Sequence, residues 1–142
     1  MTERLEDIAA KMVAKGKGLL AALMGAEVKQ QISRTLVEQV AQSRQNLPSP
    51  AAIVNSIHRA LTPKLMALES FVTLVYLRLN RTRGELTVVS CGHLPPVRLH
   101  LGQAIRVGNA QVPIGILEDE IYLESRHDFL PGDALLISSD GL

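Results

Sequence analysis

Tryptophan is absent from this chain, and Phe71, Phe129, Tyr76 and Tyr122 are its only aromatic residues. A surface that stacks nucleic acid bases is therefore poorly supplied, and the core must be aliphatic. Cys91 stands alone, which excludes a disulfide framework and a cysteine-rich zinc site. Lying at the end of an apolar run, it reads as a buried small hydrophobe rather than a nucleophile. Neither sign of charge dominates: 15 basic against 14 acidic residues leave +1, which neither attracts a polyanion nor marks a disordered tail. No apolar run reaches the roughly 20 residues that span a bilayer, and Met1-Thr2-Glu3-Arg4 opens no signal-peptide pattern. The expectation is a cytoplasmic protein with neither a nucleic acid nor a membrane as partner. Its histidines, His58, His93, His100 and His127, are scattered without ligand spacing, which argues against zinc.

What is present suits one globular domain. With 142 residues, 46% hydrophobic and 20% charged, such a chain buries roughly 70% of its unfolded surface. From Thr2 to about Ser43, apolar residues recur at helical spacing (Leu5, Ile8, Met12, then Leu19, Leu23, Val28, Ile32, Leu36, Val40). Gly16 and Gly18 divide this stretch into two helices. Glu6 and Asp7 fall in the opening turn, as surface charges that suit the helix dipole. Asn46 to Pro50 breaks the pattern. Ser49 and Pro50 then suit the cap and first position of a helix running to about Met66, with Pro63 expected to end or bend it.

After Ser70 the period changes to that of strands. Phe71 to Leu79 and Glu85 to Cys91 read as a hairpin across the turn Asn80 to Gly84. Val97 to Leu101 and Ala104 to Val107 follow as short strands joined at Gly102-Gln103. Glu120 to Arg126 alternates as a half-exposed strand, and Pro131-Gly132-Asp133 turns the chain into Ala134 to Ser138, an apolar strand expected to be covered on both faces. Helices first and an antiparallel meander afterwards give an α+β layered domain: residues 1–68 mainly helical, 69–142 mainly antiparallel β.

Six motifs in order carry a family resemblance. They are Phe71-Val72-Thr73-Leu74-Val75-Tyr76, Gly84-Glu85-Leu86-Thr87, Cys91-Gly92-His93-Leu94-Pro95-Pro96, Pro113-Ile114-Gly115-Ile116, Leu130-Pro131-Gly132-Asp133 and Ser139-Asp140-Gly141-Leu142. Upstream, Ala14-Lys15-Gly16-Lys17-Gly18 with the small-residue stretch Leu19 to Met24 is similar to the family's glycine-lysine-glycine turn and following helix. The chain resembles the PPM-type phosphatase domain of the bacterial SpoIIE and RsbU proteins. The resemblance implies an α/β/β/α sandwich of antiparallel sheets, incomplete at both ends, with two Mn2+ or Mg2+ ions at one end. It implies removal of phosphate from phosphoserine or phosphothreonine, on a small anti-anti-sigma protein of the STAS fold, in partner-switching control of transcription. Two hard cations clamp the phosphoryl group and activate a bridging water, which demands several carboxylates.

The matching residues supply few of them. Asp140 matches the family's strand-end Asp-Gly, with Gly141 offering its backbone, and Gly16 and His93 would line the site. The family's Gly-Gly-Asp segment and its last Asp have no counterpart in the sequence. Its second Asp, on the strand before the glycine-lysine-glycine turn, aligns with Lys11 or Val13. Two classes follow: a protein serine/threonine phosphatase inactive as this chain, and a non-catalytic module that docks a STAS or phosphatase partner. Lys15 to Gly18 lacks P-loop spacing, which argues against nucleotide binding. A sandwich short of strands would expose sheet edges and apolar faces, so self-association or a partner is expected.

Overall fold

In the computed structural model the described residues are 8–16, 30, 31, 33–35, 37, 38 and 48–137. Four strands, β1 (Ile8–Gly16), β2 (Val72–Asn80), β3 (Glu85–Cys91) and β6 (Ser125–Asp128), form an antiparallel sheet in the order β1-β2-β3-β6. A second antiparallel sheet, β5-β4-β7, is built from β4 (Val97–His100), β5 (Gln103–Arg106) and β7 (Ala134–Leu136). Helix α1 (Pro50–Ala67) covers one face of the larger sheet.

The layering follows from the period-two alternation of β2, whose residues 72–77 are all buried. Val72, Leu74 and Tyr76, with Val89 and Cys91 of β3, meet Ile53, Val54, Ile57, Leu61 and Leu65 of α1. Val75 and Leu77, with Leu86 and Val88, point the other way and join Val107, Phe129, Leu135 and Ile137. An apolar run with no polar alternation is thus a strand sandwiched between two layers.

Helix α1 begins where the sequence places it, with the Ser49 hydroxyl accepting from the Ala52 N–H at 3.1 Å and Pro50 in the first turn. Pro63 does not end it: the helix runs on to Ala67. Burial of Leu61 and Leu65 on either side of the proline outweighs the lost backbone bond. Residues 30, 31, 33–35, 37 and 38 are helical, as the upstream period implies.

Three expectations are corrected. Residues 8–16 are not helical but form β1, paired with β2 over nine positions from Ile8–Asn80 to Gly16–Val72. Their alanines, lysines and methionine favour a helix locally, and a full ladder on a buried strand overrides that preference. Glu6 and Asp7 lie outside the described residues. Between Glu120 and Arg126 only Ser125 and Arg126 are in a strand. The alternation is real, with Tyr122 buried between exposed Ile121 and Leu123, but side-chain amides replace the ladder there. Finally, β7 is not covered on both faces. It is an edge strand of the smaller sheet, with Leu136 55% exposed while Leu135 packs inward.

Candidate functional site

The strand ends converge at one end of the sheets. β1 finishes at Gly16 beside Val72, the first residue of β2. β3 finishes at Cys91, and Gly92 bridges Leu74. The next loop, through His93 and Pro96, leads to Val97, which lies opposite Leu136 at the end of β7. Gly16 and His93 therefore belong to the same end of the fold. Asp140 and Gly141, a few residues beyond β7, lie outside the described residues.

Three of the motifs lock together here. Val72 and Ile114 exchange two backbone hydrogen bonds of 2.9 Å, and the Gly92 N–H donates to the Gln111 carbonyl at 2.6 Å. Gly92 has a φ of +70°, and a Cβ on it would stand 2.4 Å from Pro113 Cγ. Only glycine allows the Gly-His-Leu-Pro-Pro loop and the Pro-Ile-Gly segment to cross this closely.

His93 is buried. Its Nδ1 lies 2.8 Å from the Leu94 carbonyl, which can only accept, so Nδ1 is the donor. The Ser90 hydroxyl donates to the His93 carbonyl at 3.1 Å. These contacts fix the loop. Cys91 is fully buried and desolvation pushes its thiol up, away from the reactive thiolate.

A charged cluster that sequence reasoning missed fixes the smaller sheet. Asp133 receives the Arg98 Nε and Nη2 groups at 2.8 Å, His100 Nδ1 at 2.6 Å and the Leu130 N–H at 2.8 Å. Desolvation acts to raise its pKa, but the Leu130, His100 and Arg98 bonds and the Arg98 charge outweigh it and hold the carboxyl at about 2. The legible signal was Arg98 and His100 at i and i+2 on one strand, which places both on one face. Nearby, burial and then the Arg98 charge lower the His127 pKa, against Asp128.

The described residues do not fit a divalent cation. Among them no group of three or more histidine, cysteine, aspartate or glutamate side chains could hold a metal ion. β1 is the strand on which the resemblance implies a second Asp, and it carries Lys11 opposite Leu77 and Val13 opposite Val75.

Residues 14–142 match the profile of the Stage II sporulation protein E (SpoIIE) family. The chain belongs to the SpoIIE family. No curated protein matches it in sequence. Among solved structures, it is similar to the RsbU and RsbW domains of a Mycobacterium tuberculosis protein, at 20% identity and TM-score 0.68, over 91% of this chain and 34% of that one. RsbX in complex with magnesium is likewise 20% identical, with TM-score 0.69 over 99% of this chain and 64% of RsbX. The catalytic domain of the serine/threonine phosphatase PstP, in complex with two manganese ions, is 16% identical, with TM-score 0.65 over 96% of this chain and 71% of that domain. The first two relatives are thus spanned over less than two thirds of their length. At these identities the likeness establishes the fold: the SpoIIE-family chain has the PPM-type arrangement of two antiparallel sheets with flanking helix. No helix among its described residues is long and apolar enough to cross a membrane.

Proposed function

We infer that this chain carries one part of a metal-dependent protein serine/threonine phosphatase centre and is inactive by itself. The substrate class is a phosphorylated anti-anti-sigma protein of the STAS fold, met in the cytoplasm during partner switching. The observation that carries this reading is the convergence of Gly16, the Gly92–His93 loop and the end of β7 at one end of the fold. Asp140 would be the ligand at that end, with the Gly141 backbone beside it. A binuclear Mn2+ or Mg2+ centre supplies phosphoryl clamping and an activated water when complete. A lysine or valine in β1 at the second ligand position cannot contribute to it.

The same observation favours a second reading, a non-catalytic module that keeps the docking surface and binds a STAS or phosphatase partner. The first reading and the STAS form of the second share an expected result. The 142-residue protein shows no manganese-dependent hydrolysis of p-nitrophenyl phosphate or of a phosphoserine STAS protein, yet binds the latter in calorimetry. Turnover abolished by Asp140→Ala would overturn the inactivity, and absence of binding would overturn the partner class.

A further inference from the structure

The segment after Gly115 exposes more apolar surface than a surface loop needs. Ile116, Leu117, Ile121 and Leu123 are 45%, 49%, 69% and 63% exposed, and they bracket the carboxylates Glu118, Asp119 and Glu120. Scattered exposed aliphatics are ordinary, but four in one short segment mark an interaction surface.

Between this segment and α1 lies a groove of about 510 Å³, walled by Ala52, Ser56 and Arg59 on the helix and by residues 118–121 opposite. The segment is held open. His58 Nε2 meets the Glu118 carbonyl at 3.0 Å, and its Nδ1 meets the Thr62 hydroxyl at 2.7 Å. The carbonyl can only accept, so His58 donates from Nε2 and accepts from Thr62. Asn55 grips the peptide groups of Tyr122 and Gln111 those of Leu123. Ile121 and Leu123 are therefore presented to solvent on a fixed backbone, and folding them inward would break the four hydrogen bonds that the Asn55 and Gln111 amides make to it.

Charge and shape select the occupant. Glu118, Asp119 and Glu120 line one side of the groove and Arg59, which donates to the Ser56 hydroxyl at 3.2 Å, the other, so acidic residues outnumber basic ones among its lining. A two-fold dimer through this face would bring together two surfaces that each carry more carboxylates than cations, which is unfavourable. The small residues Ala52 and Ser56, one turn apart on α1, leave room for a second helix. We propose that the groove between α1 and residues 118–121, together with the exposed aliphatic residues on either side of that segment, docks a basic amphipathic helix of a partner protein. Its aliphatic face meets Leu117, Ile121 and Leu123, and its lysines or arginines meet Glu118 to Glu120.

The test uses the full chain and two labelled helical peptides in fluorescence anisotropy: one of leucine and lysine, the other with glutamate in place of lysine. The lysine peptide is expected to bind, more weakly at high salt, and the glutamate peptide not. Ile121→Ser with Leu123→Ser weakens binding by about tenfold or more, and Glu118→Lys with Asp119→Lys reverses the preference between peptides. All four positions are exposed, and unchanged melting temperatures verify that the variants fold. Equal binding of both peptides, no binding of either, or insensitivity to the variants overturns the proposal. Self-association of the chain lost in the Ile121→Ser, Leu123→Ser variant would assign the face to a second copy and overturn it as well.

Discussion

The Asn55 side chain accepts the Tyr122 N–H at 2.9 Å and donates to the Tyr122 carbonyl at 3.0 Å, so a helix residue supplies the bonds that a neighbouring strand would give. Its Nδ2 also donates to the Ala51 carbonyl at 2.8 Å, which aims the amide. Below it, Tyr122 is buried edge-on to His58, with ring centroids 5.2 Å apart, and its hydroxyl donates to the Pro113 carbonyl at 3.0 Å. Asn55→Ala leaves both Tyr122 backbone groups without protein partners. The expected loss of stability is roughly 2–4 kcal/mol, read as a lower urea midpoint at unchanged slope.

Two glycines of positive φ should respond differently to alanine. At Gly92 the new Cβ would meet Pro113 at 2.4 Å as well as a φ of +70°, whereas at Gly102, with φ +77°, it would meet nothing within 4 Å. Gly92→Ala is expected to cost more than roughly 3 kcal/mol and to loosen the loop that carries His93. Gly102→Ala should cost about 1 kcal/mol, the backbone preference alone. Equal losses in paired thermal melts would disprove the steric argument.

The β4–β5 hairpin turns through Leu101 and Gly102, with φ of +48° and +77°. Positive φ at both central positions suits Asn-Gly far better than Leu-Gly. Leu101 is also 89% exposed, so no packing compensates. Leu101→Asn is expected to raise stability by about 1 kcal/mol, visible as a higher melting temperature.

Acid should act through Asp133. Its carboxyl, held at about 2 in the folded chain, lies below the unfolded value of about 3.9. A depressed carboxyl stabilises the fold above the unfolded pKa, and that contribution disappears as pH falls through the interval toward 2. The melting temperature of Asp133→Asn should therefore fall below that of the parent near neutral pH, and the gap should close as pH falls toward 2. A constant gap would mean that Asp133 acts through turn geometry rather than charge.

Much of this was legible in the sequence because the informative residues act locally. Ser49 and Pro50 cap the helix they flank, and the Asn80–Gly84 turn joins strands paired from Val75–Ser90 to Asn80–Glu85. β1 was misread because Ala9, Ala10 and Ala14 carry no strand preference; their state is fixed by β2, far along the chain. Residues 120–124 were misread for the opposite reason. Their alternation is that of a strand, but the bonding partners are the side chains of Asn55 and Gln111, which no period reveals. The candidate site was legible as a family motif rather than as geometry: Asp140 stands outside the described residues, while Asp133, its nearest charged neighbour in sequence, is committed to Arg98 and His100.

The amide clamps on Tyr122 and Leu123 separate two constraints that a β-ladder imposes together. A strand tied to a neighbouring strand must keep side chains that suit the shared surface, cross-strand neighbour by neighbour. Here the backbone is gripped by Asn55 and Gln111, and only the Tyr122 side chain is committed to the interior. Positions 121 and 123 can change without disturbing what holds them, so descendants of this chain could acquire a different outer face there while inheriting the same fold.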